Sequence, residues 1–454
     1  MRGKTFMRKI AVLAAALFIA IFINTGYACA KHQAFSPFVR VATADAVFND
    51  DGTVNDWQSY VKGQAIGSAI SASIALTDEA GVLGFPSNWV VAGDTILNVP
   101  SKQKVTKPDG TTTVKKIQVI EICNKAYAKK ALGAAPILPD DPDSAIPNGF
   151  IHAPALPCEI SVHFEGDKIH VYMLNAEAIF TLFFTDVVTS DLMLDPWFKE
   201  QMQLLTAAVK SEMRGMIYAA LAANATAFTE TDDMAGPVYR NIGDAVSTVA
   251  HTVNQSPYVH FAYSKFDGET FSKEELATIA KTVTNTLTYE GQVEIDENGD
   301  EIDVPVGKHP GIDLSTYNGK SSSWRAARAI PLGMPDGSKV VEPCSPTYAK
   351  EAIGTTRLDH APALPCEIAF RLINDGTELL VSYLDPNFMF GVMFSDMSDE
   401  EIAAFGDIPA VVLDDLQKIV TYSLEIDLED IALDAGEQVY YDMLLGDGFH
   451  GAKN

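Results

Sequence analysis

HAPALPCEI stands at residues 152–160 and recurs without a change at residues 360–368. An identity of this length does not arise by chance, and the likeness continues in the same order on both sides. The other matching segments are SPFV at 36–39 and SPYV at 256–259, CNKAYAK at 123–129 and CSPTYAK at 344–350, and FFTD at 183–186 and MFSD at 393–396. The chain therefore contains a duplicated domain.

The repeat sets the predicted domain boundaries. We expect a first repeat domain at 31–222 (copy one), a linker at 223–255 and a second repeat domain at 256–454 (copy two). The stretch between the first cysteine and HAPALPCEI is 13 residues longer in copy one. The extra residues fall in Ala134–Phe150, which we predict to be a surface loop that shields the adjacent site and leaves copy two the more accessible one.

Periodicity predicts the same elements in each copy. Two hairpins are expected, Glu159–Phe164 with Ile169–Leu174 in copy one and Glu367–Ile373 with Glu378–Leu384 in copy two, each around a strong turn signal. Each copy is thus an α+β domain in which an antiparallel sheet is packed by helices. The helices expected from spacing and capping residues are Lys125–Leu132, Asp195–Ala222, Ser272–Leu287 and Thr347–Ile353.

Residues 1–30 have the three parts of a secretory signal peptide. A basic start is followed by the apolar run Ile10–Ile23, too short for a membrane span of about 20 residues, and Ala-Cys-Ala at 28–30 supplies a cleavage site. We expect export to the periplasm or the medium and a mature chain from Lys31. Lipoprotein anchoring through Cys29 is disfavoured, because Gly26 stands where a branched aliphatic residue is usual.

Charge limits the partners of the protein. The chain has 60 acidic and 33 basic residues and a formal charge of −27, which repels nucleic acids and anionic membrane surfaces. No later segment is apolar and long enough for a stable membrane span. The signatures of phosphate loops, serine-hydrolase elbows and zinc proteases are also missing. These features favour an acidic exported protein and leave open whether it is an enzyme.

The cysteine motifs resemble those of the family known as domain of unknown function 302. In both copies a Cys-Asn-Pro-like turn leads into a short helix and is followed by Leu-Pro-Cys and a hairpin with a glycine turn. The resemblance implies a curved antiparallel sheet packed by helices, as in TATA-box-binding-protein-like folds, and implies no reaction. Copy one has Lys125 where the family has Pro, and copy two has Ser345 where it has Asn.

The duplicated cysteines and histidines are the candidate site residues. They are Cys123, Cys158 and His152 in copy one, and Cys344, Cys366 and His360 in copy two. Export favours two structural disulfides, Cys123 with Cys158 and Cys344 with Cys366. Alternatively, the thiols act in redox or sulfur chemistry, or bind a soft metal or a haem iron together with the histidine. A third alternative is that they are buried and inert.

Two function classes follow from these residues. The first is an exported accessory or binding protein that offers a pocket or surface to a ligand or a periplasmic partner protein. The second is a thiol-dependent redox or sulfur-handling protein. The sequence identifies no cofactor, and we expect the two copies to pack as a monomeric pseudo-dimer. The duplicated Glu159 and Glu367 begin strands and are expected to be exposed, while the acidic stretch Glu294–Asp303 favours a hairpin over a calcium loop.

Overall fold

The structure is a computed structural model of the chain. The expected signal peptide, Cys29 and residues 425–454 lie outside the described residues. The residues that it describes are 34–77, 89–98, 103–138, 140–146, 149–156, 158–250, 257–265, 269–287, 294–295, 301–302, 312–317, 320–321, 324–326, 329–332, 334, 336–353, 358–363 and 366–424.

Helices and strands occur in the mixed order that the sequence predicts. The helices are α1 (Asp56–Thr77), α2 (Lys125–Ala131), α3 (Ala176–Phe183), α4 (Thr185–Thr189), α5 (Pro196–Ala223), α6 (Ile242–Ala250), α7 (Lys273–Leu287), α8 (Pro346–Ile353), α9 (Pro386–Met393), α10 (Asp399–Phe405) and α11 (Ile408–Leu424). The strands of copy one and of the segment after it are β1 (Phe38–Asp45), β2 (Trp89–Asn98), β3 (Lys104–Thr106), β4 (Thr112–Val114), β5 (Lys116–Asn124), β6 (Cys158–Glu165), β7 (Lys168–Leu174) and β8 (Thr229–Ala235). Those of copy two are β9 (Tyr258–Ser264), β10 (Glu294–Ile295), β11 (Glu301–Ile302), β12 (Thr316–Tyr317), β13 (Lys320–Ser321), β14 (Arg325–Ala326), β15 (Ile330–Pro331), β16 (Lys339–Val341), β17 (Pro343–Cys344), β18 (Ile368–Ile373) and β19 (Glu378–Leu384).

Two antiparallel sheets form the centre of the fold and confirm the α+β class. The first sheet has the strand order β2-β5-β6-β7-β1-β8, and the second has the order β15-β16-β18-β19-β9. Corresponding strands occupy corresponding places, and both predicted hairpins are present as β6–β7 and β18–β19. The segment 223–255 is more than the expected linker, because its strand β8 pairs with β1 and extends the first sheet.

One face of each sheet packs on helices and forms a hydrophobic core. In the first sheet, Ile120, Ile160 and Val171 on this face contact α1 and α5. Helix α1 approaches β5 closely at Gly67, where a Cβ atom would lie 2.0 Å from the Gln118 side chain. In the second sheet, the equivalent face packs on α7 and α11. Each sheet therefore has an inner helical layer, as the apolar alternation of its strands requires.

The repeated motif covers the opposite face of each sheet. The motif of copy one lies on the sheet of copy two, and the motif of copy two lies on the sheet of copy one. Residues 152–155 belong to a 3-10 helix, Gly149–Ala155, which we name the first HAPA helix. The second HAPA helix is Leu358–Ala363. The first contacts β18, β19 and β9 of copy two, and the second contacts β5, β6, β7 and β1 of copy one. The exchange is reciprocal and joins the two copies.

Helix ends follow the local capping signals. Asp195 accepts a hydrogen bond from the Trp197 N–H at 2.9 Å, and Pro196 begins α5, as predicted. Ser272 and Glu275 form reciprocal side-chain to backbone hydrogen bonds at the start of α7. The acidic stretch of copy two pairs as the short hairpin β10–β11, and its turn lies outside the described residues. Among the described helices, none is long and apolar enough to cross a membrane.

Candidate functional site

The paired cysteines of copy one lie on neighbouring strands of the first sheet but face opposite sides of it. In the antiparallel register, Cys158 is opposite Ile122, so these two side chains share the face that packs on α1 and α5. Cys123 follows Ile122 on β5 and therefore faces the other side, against Val90 and Ala128. No disulfide joins any of the four cysteines. The predicted Cys123–Cys158 bridge is not formed, since side chains that point apart cannot be joined without backbone movement.

All four thiols are held in their neutral form by burial. Burial raises the pKa of Cys123 to about 12. It also raises the pKa of Cys158, Cys344 and Cys366 well above that of a free thiol, and nearby glutamates raise it further. Thiolate is the nucleophile and the metal ligand in cysteine chemistry. The environment therefore favours the alternative in which the cysteines are inert.

His152 fixes the first HAPA helix between the two copies. Its Nε2 lies 2.8 Å from Asp186 Oδ1, and its Nδ1 lies 3.0 Å from the Gly149 carbonyl oxygen. The ring stacks on Phe184 with centroids 3.9 Å apart and meets the edge of Tyr258, from copy two, at 5.7 Å. Both ring nitrogens thus face acceptor oxygens, and the side chain has no exposed surface.

His360 repeats this arrangement in copy two. Its Nε2 lies 3.1 Å from Asp396 Oδ1, its ring stacks on Phe394, and it meets Phe38 of copy one at 5.0 Å. Nδ1 lies 3.2 Å from Asp359 Oδ1. Burial opposes the charged form, but the hydrogen bonds to the two aspartates outweigh it and raise the pKa of His360. The duplicated histidines are therefore interface residues with carboxylate partners.

Four buried glutamates, unforeseen from the sequence, meet where the copies join. Glu121 and Glu159 are opposite each other on β5 and β6. Glu159 and Glu367 share a side-chain hydrogen bond, and Glu342 adds a further negative charge nearby. The expectation that Glu159 and Glu367 are exposed is wrong, since they are only 2% and 4% exposed. Burial raises the pKa of both well above that of a free carboxyl group; the neighbouring carboxyl groups raise that of Glu159 further, whereas the shared hydrogen bond partly lowers that of Glu367.

These groups are not arranged as a metal-binding site in the part of the chain that the structure describes. Within the described ranges, no three side chains among Cys, His, Asp and Glu are placed so that they could hold a metal ion. Of the histidines without a counterpart in the other copy, His163 and His260 are buried and His170 is half-buried, all three on strands of the sheets. Burial lowers the pKa of His163 to about 3 and that of His170 and His260 to about 4. These three rings are therefore neutral at pH 7.

A pocket in copy one reaches the Cys158 side chain. It lies between α2, α3, α5 and the end of the first HAPA helix, encloses about 60 Å³ and is partly open to the surface. Its walls are mainly aliphatic and aromatic, with Asn124, Thr206 and Cys158 as polar members. The apolar lining residues include Leu156, Ile179, Phe180, Phe184, Leu205 and Val209.

One wall of the pocket is fixed by a tryptophan, a tyrosine and a carboxylate. Trp89 Nε1 donates to Glu212 Oε2 at 2.7 Å, and the Tyr127 hydroxyl donates to Glu212 Oε1. The rings of Trp89 and Tyr127 meet edge to face at 6.3 Å. Tyr127 lies inside the repeated CNKAYAK motif, so its duplication is the sequence signal that could have indicated this group. Trp89 and Glu212 lie outside the quoted repeats.

Copy two has the same group in a closed form. Trp324 Nε1 and the Tyr348 hydroxyl donate to Asp415 Oδ2 at 3.3 and 3.0 Å. The Ser315 N–H donates to Asp415 Oδ1 at 2.8 Å, and Asp415 is fully buried. Glu212, in contrast, is half-buried. The two copies therefore share this architecture but differ in access to it.

The long loop of copy one does not act as the expected shield. Its last residue, Phe150, lies under the Arg371 guanidinium of the second sheet at 3.5 Å from the ring centre. Among the described residues of 134–150, none lines the pocket that reaches Cys158. Cys366, the counterpart of Cys158, is half-buried as well. The expectation of easier access in copy two is therefore wrong for this pair.

Comparison with known proteins adds little. No protein-family model matches the chain, and no curated protein matches it either. Among solved structures, the chain is similar to the crystal structure of DynU16, from the dynemicin biosynthetic locus, with 9% identity over 84% of this chain and 98% of that one. The TM-score of 0.15 is too low to support an argument about fold or function. The resemblance to domain of unknown function 302 stays a prediction.

Proposed function

We propose that the protein is an exported binding protein whose first copy holds a small apolar ligand, or the apolar end of a larger one. The observation that carries this proposal is the pocket between α2, α3 and α5, with its aliphatic and aromatic walls. Binding pockets are typically concave and apolar with a few placed polar groups. Asn124, Thr206 and Cys158 are the polar groups in this case.

The size of the pocket limits the ligand. A closed protein cavity of about 150 Å³ accommodates a benzene molecule. The pocket of copy one encloses about 60 Å³, but it is partly open. A ring or a chain end can therefore occupy it while the remainder of the ligand lies at the surface. This geometry fits one apolar group of a small molecule or of a partner.

The environment of the thiols favours binding over thiol chemistry. Burial raises the pKa of Cys158 and of the other three cysteines, so little thiolate forms at pH 7. Cys158 then acts as a weakly polar part of the wall. The two cysteines of copy one also face opposite sides of the sheet, so their sulfur atoms are not placed for thiol–disulfide exchange with each other.

The remaining expectations belong to the same proposal. Export rests on residues 1–30, and the reciprocal HAPA helices support a monomeric pseudo-dimer, because each copy covers the other's sheet. The matching strand orders support a tandem pair of sheets of the TATA-box-binding-protein-like kind. In this arrangement copy two completes the fold of copy one, and copy one carries the ligand.

A pocket-filling variant tests the proposal. Ethylbenzene is titrated into protein with labelled methyl groups, and the resonances of Ile179 and Leu205 are followed by NMR. We expect ethylbenzene to cause saturable chemical-shift changes in the unmodified protein. Its affinity for Val209→Phe should be at least tenfold weaker, because the added ring occupies the pocket. Val61→Phe is the matched control, since Val61 is 44% exposed on α1. Equal affinities in both variants, or no shifts at all, would contradict the proposal.

A further inference from the structure

We infer that the pocket of copy one selects neutral ligands that carry a carbonyl group, and that the Asn124 side-chain amide recognises this group. The inference rests on the proposed binding function and names the class of ligand. Asn124 lines the pocket and is 4% exposed. Its Oδ1 is already engaged, since it accepts the N–H groups of Ala126 and Tyr127 at 2.9 and 3.1 Å and so caps α2.

The Asn124 amide nitrogen is the donor that these contacts leave available. Among the described residues, Asn124 Nδ2 makes no hydrogen bond, although the side chain is almost entirely inside the protein. Because Asn124 lines the partly open pocket, a ligand that places an acceptor beside Nδ2 forms a hydrogen bond largely shielded from water and gains affinity. The fixed position of Oδ1 at the helix end also fixes the direction of the NH2 group. The donor is thus held in place before the ligand arrives.

The other polar groups around the pocket already have partners. Trp89 Nε1 and the Tyr127 hydroxyl both donate to Glu212. The Thr206 hydroxyl lies 3.3 Å from the Met202 carbonyl oxygen, to which it donates within α5. The Cys158 thiol is 3.9 Å from the Leu156 carbonyl oxygen. Asn124 therefore supplies the directional contact.

Charge favours a neutral ligand over a carboxylate. Glu212 lies directly behind the Trp89 and Tyr127 wall, and the chain as a whole carries a formal charge of −27. A buried anion near a carboxylate is unfavourable unless it has a cationic partner. No Lys or Arg lines this pocket among the described residues. A ketone, ester or amide carbonyl satisfies the Asn124 donor without this electrostatic penalty.

Copy two lacks the amide at the corresponding position. Ser345 replaces Asn there, and its Oγ accepts the Tyr348 N–H at 3.4 Å. Serine therefore keeps the capping contact, but it has no side-chain amide N–H that this contact could orient toward a ligand. This natural replacement suggests the variant Asn124→Ser, in which the cap of α2 is retained. The carbonyl-recognising group is thus specific to copy one.

Three probes of similar size test the inference: acetophenone, ethylbenzene and benzoate. Binding is followed through the Ile179 and Leu205 methyl resonances, and Val61→Phe again serves as the control. We expect acetophenone to bind more tightly than ethylbenzene, and benzoate to bind at least tenfold more weakly than acetophenone. Asn124→Ser should weaken acetophenone binding about 3- to 10-fold and leave that of ethylbenzene within about twofold.

The outcomes separate this inference from the function on which it rests. If Asn124→Ser weakens acetophenone and ethylbenzene equally, or neither, the carbonyl contact is refuted while the apolar pocket stands. Tight binding of benzoate would overturn the preference for neutral ligands. If no probe shifts the pocket resonances, the binding function fails and this inference fails with it. Urea unfolding of Asn124→Ser confirms that the variant is folded, so that lost affinity is not lost structure.

Discussion

Replacing Glu159 by Gln should make the stability of the protein less sensitive to alkaline pH. Glu159 and Glu367 share a hydrogen bond in the buried region between the copies, and burial raises the pKa of both. Such a bond requires one retained proton. The unfolded chain loses this proton above about pH 4.5, the ordinary value for Glu. The folded state therefore binds more protons, and stability falls as the pH rises toward the folded pKa.

The size of the effect follows from the single retained proton. Each pH unit over which the folded pair keeps it lowers the free energy of unfolding by about 1.4 kcal/mol. Glutamine donates a hydrogen bond to Glu367 without a titrating proton, so Glu159→Gln should remove this slope. The histidines with lowered pKa values have the opposite effect, since they make the free energy of unfolding rise with pH. This effect ends above about pH 7, because His163, His170 and His260 are then neutral in both the folded and the unfolded state.

The assay is urea unfolding of the unmodified protein and of Glu159→Gln at pH steps from 7 to 9. We expect the variant to gain stability relative to the unmodified protein as the pH rises, by up to about 1.4 kcal/mol for each pH unit over which the folded pair keeps its proton. Glu165→Gln is the matched control, because Glu165 is on the same strand with its side chain 53% exposed. Parallel pH profiles for the unmodified protein and Glu159→Gln would refute the shared proton.

Two further pairs of substitutions test the packing of the protein, and all four are measured as free energies of unfolding in urea. Asp415→Ala should destabilise by about 3–5 kcal/mol, since it removes a fully buried carboxylate that accepts three hydrogen bonds, whereas Glu212→Ala should lose only about 1–2 kcal/mol at its half-buried site; equal losses would contradict the closed form of copy two. Gly236→Ala should destabilise more than Gly52→Ala by about 1–3 kcal/mol. Both glycines have positive φ, but a Cβ atom at Gly236 would lie 2.5 Å from the Phe38 ring, while the space around Gly52 is open; similar effects would argue against this close approach of Gly236 to Phe38.

Local signals in the sequence predict the elements of the fold well. The hairpins β6–β7 and β18–β19 occur where alternation and turn residues place them. The same holds for α7, whose capping box at Ser272 and Glu275 is readable from the sequence. In these cases the decisive interactions join residues close together in the chain.

The features that the sequence does not predict depend on contacts distant in the chain. The register of β5 against β6 decides on which side of the sheet the Cys123 and Cys158 side chains lie, and no local sequence pattern specifies this register. Glu159 is buried because the other copy covers its sheet, although its position at the start of a strand indicates exposure. The roles of the HAPA helices are likewise visible only when both copies are packed together.

Protection of Cys158 by a bound ligand tests the proposed pocket most directly. Cys158 lines the pocket, and its half-buried counterpart Cys366 provides an internal control in the same molecule. Alkylation by iodoacetamide, which is slow because burial keeps the thiols neutral, is followed to completion at each cysteine by quantitative mass spectrometry, with and without saturating ethylbenzene. We expect the probe to slow alkylation of Cys158 several-fold and to change that of Cys366 by no more than about twofold. Unchanged alkylation of Cys158, or equal slowing at both cysteines, would contradict a ligand site in copy one.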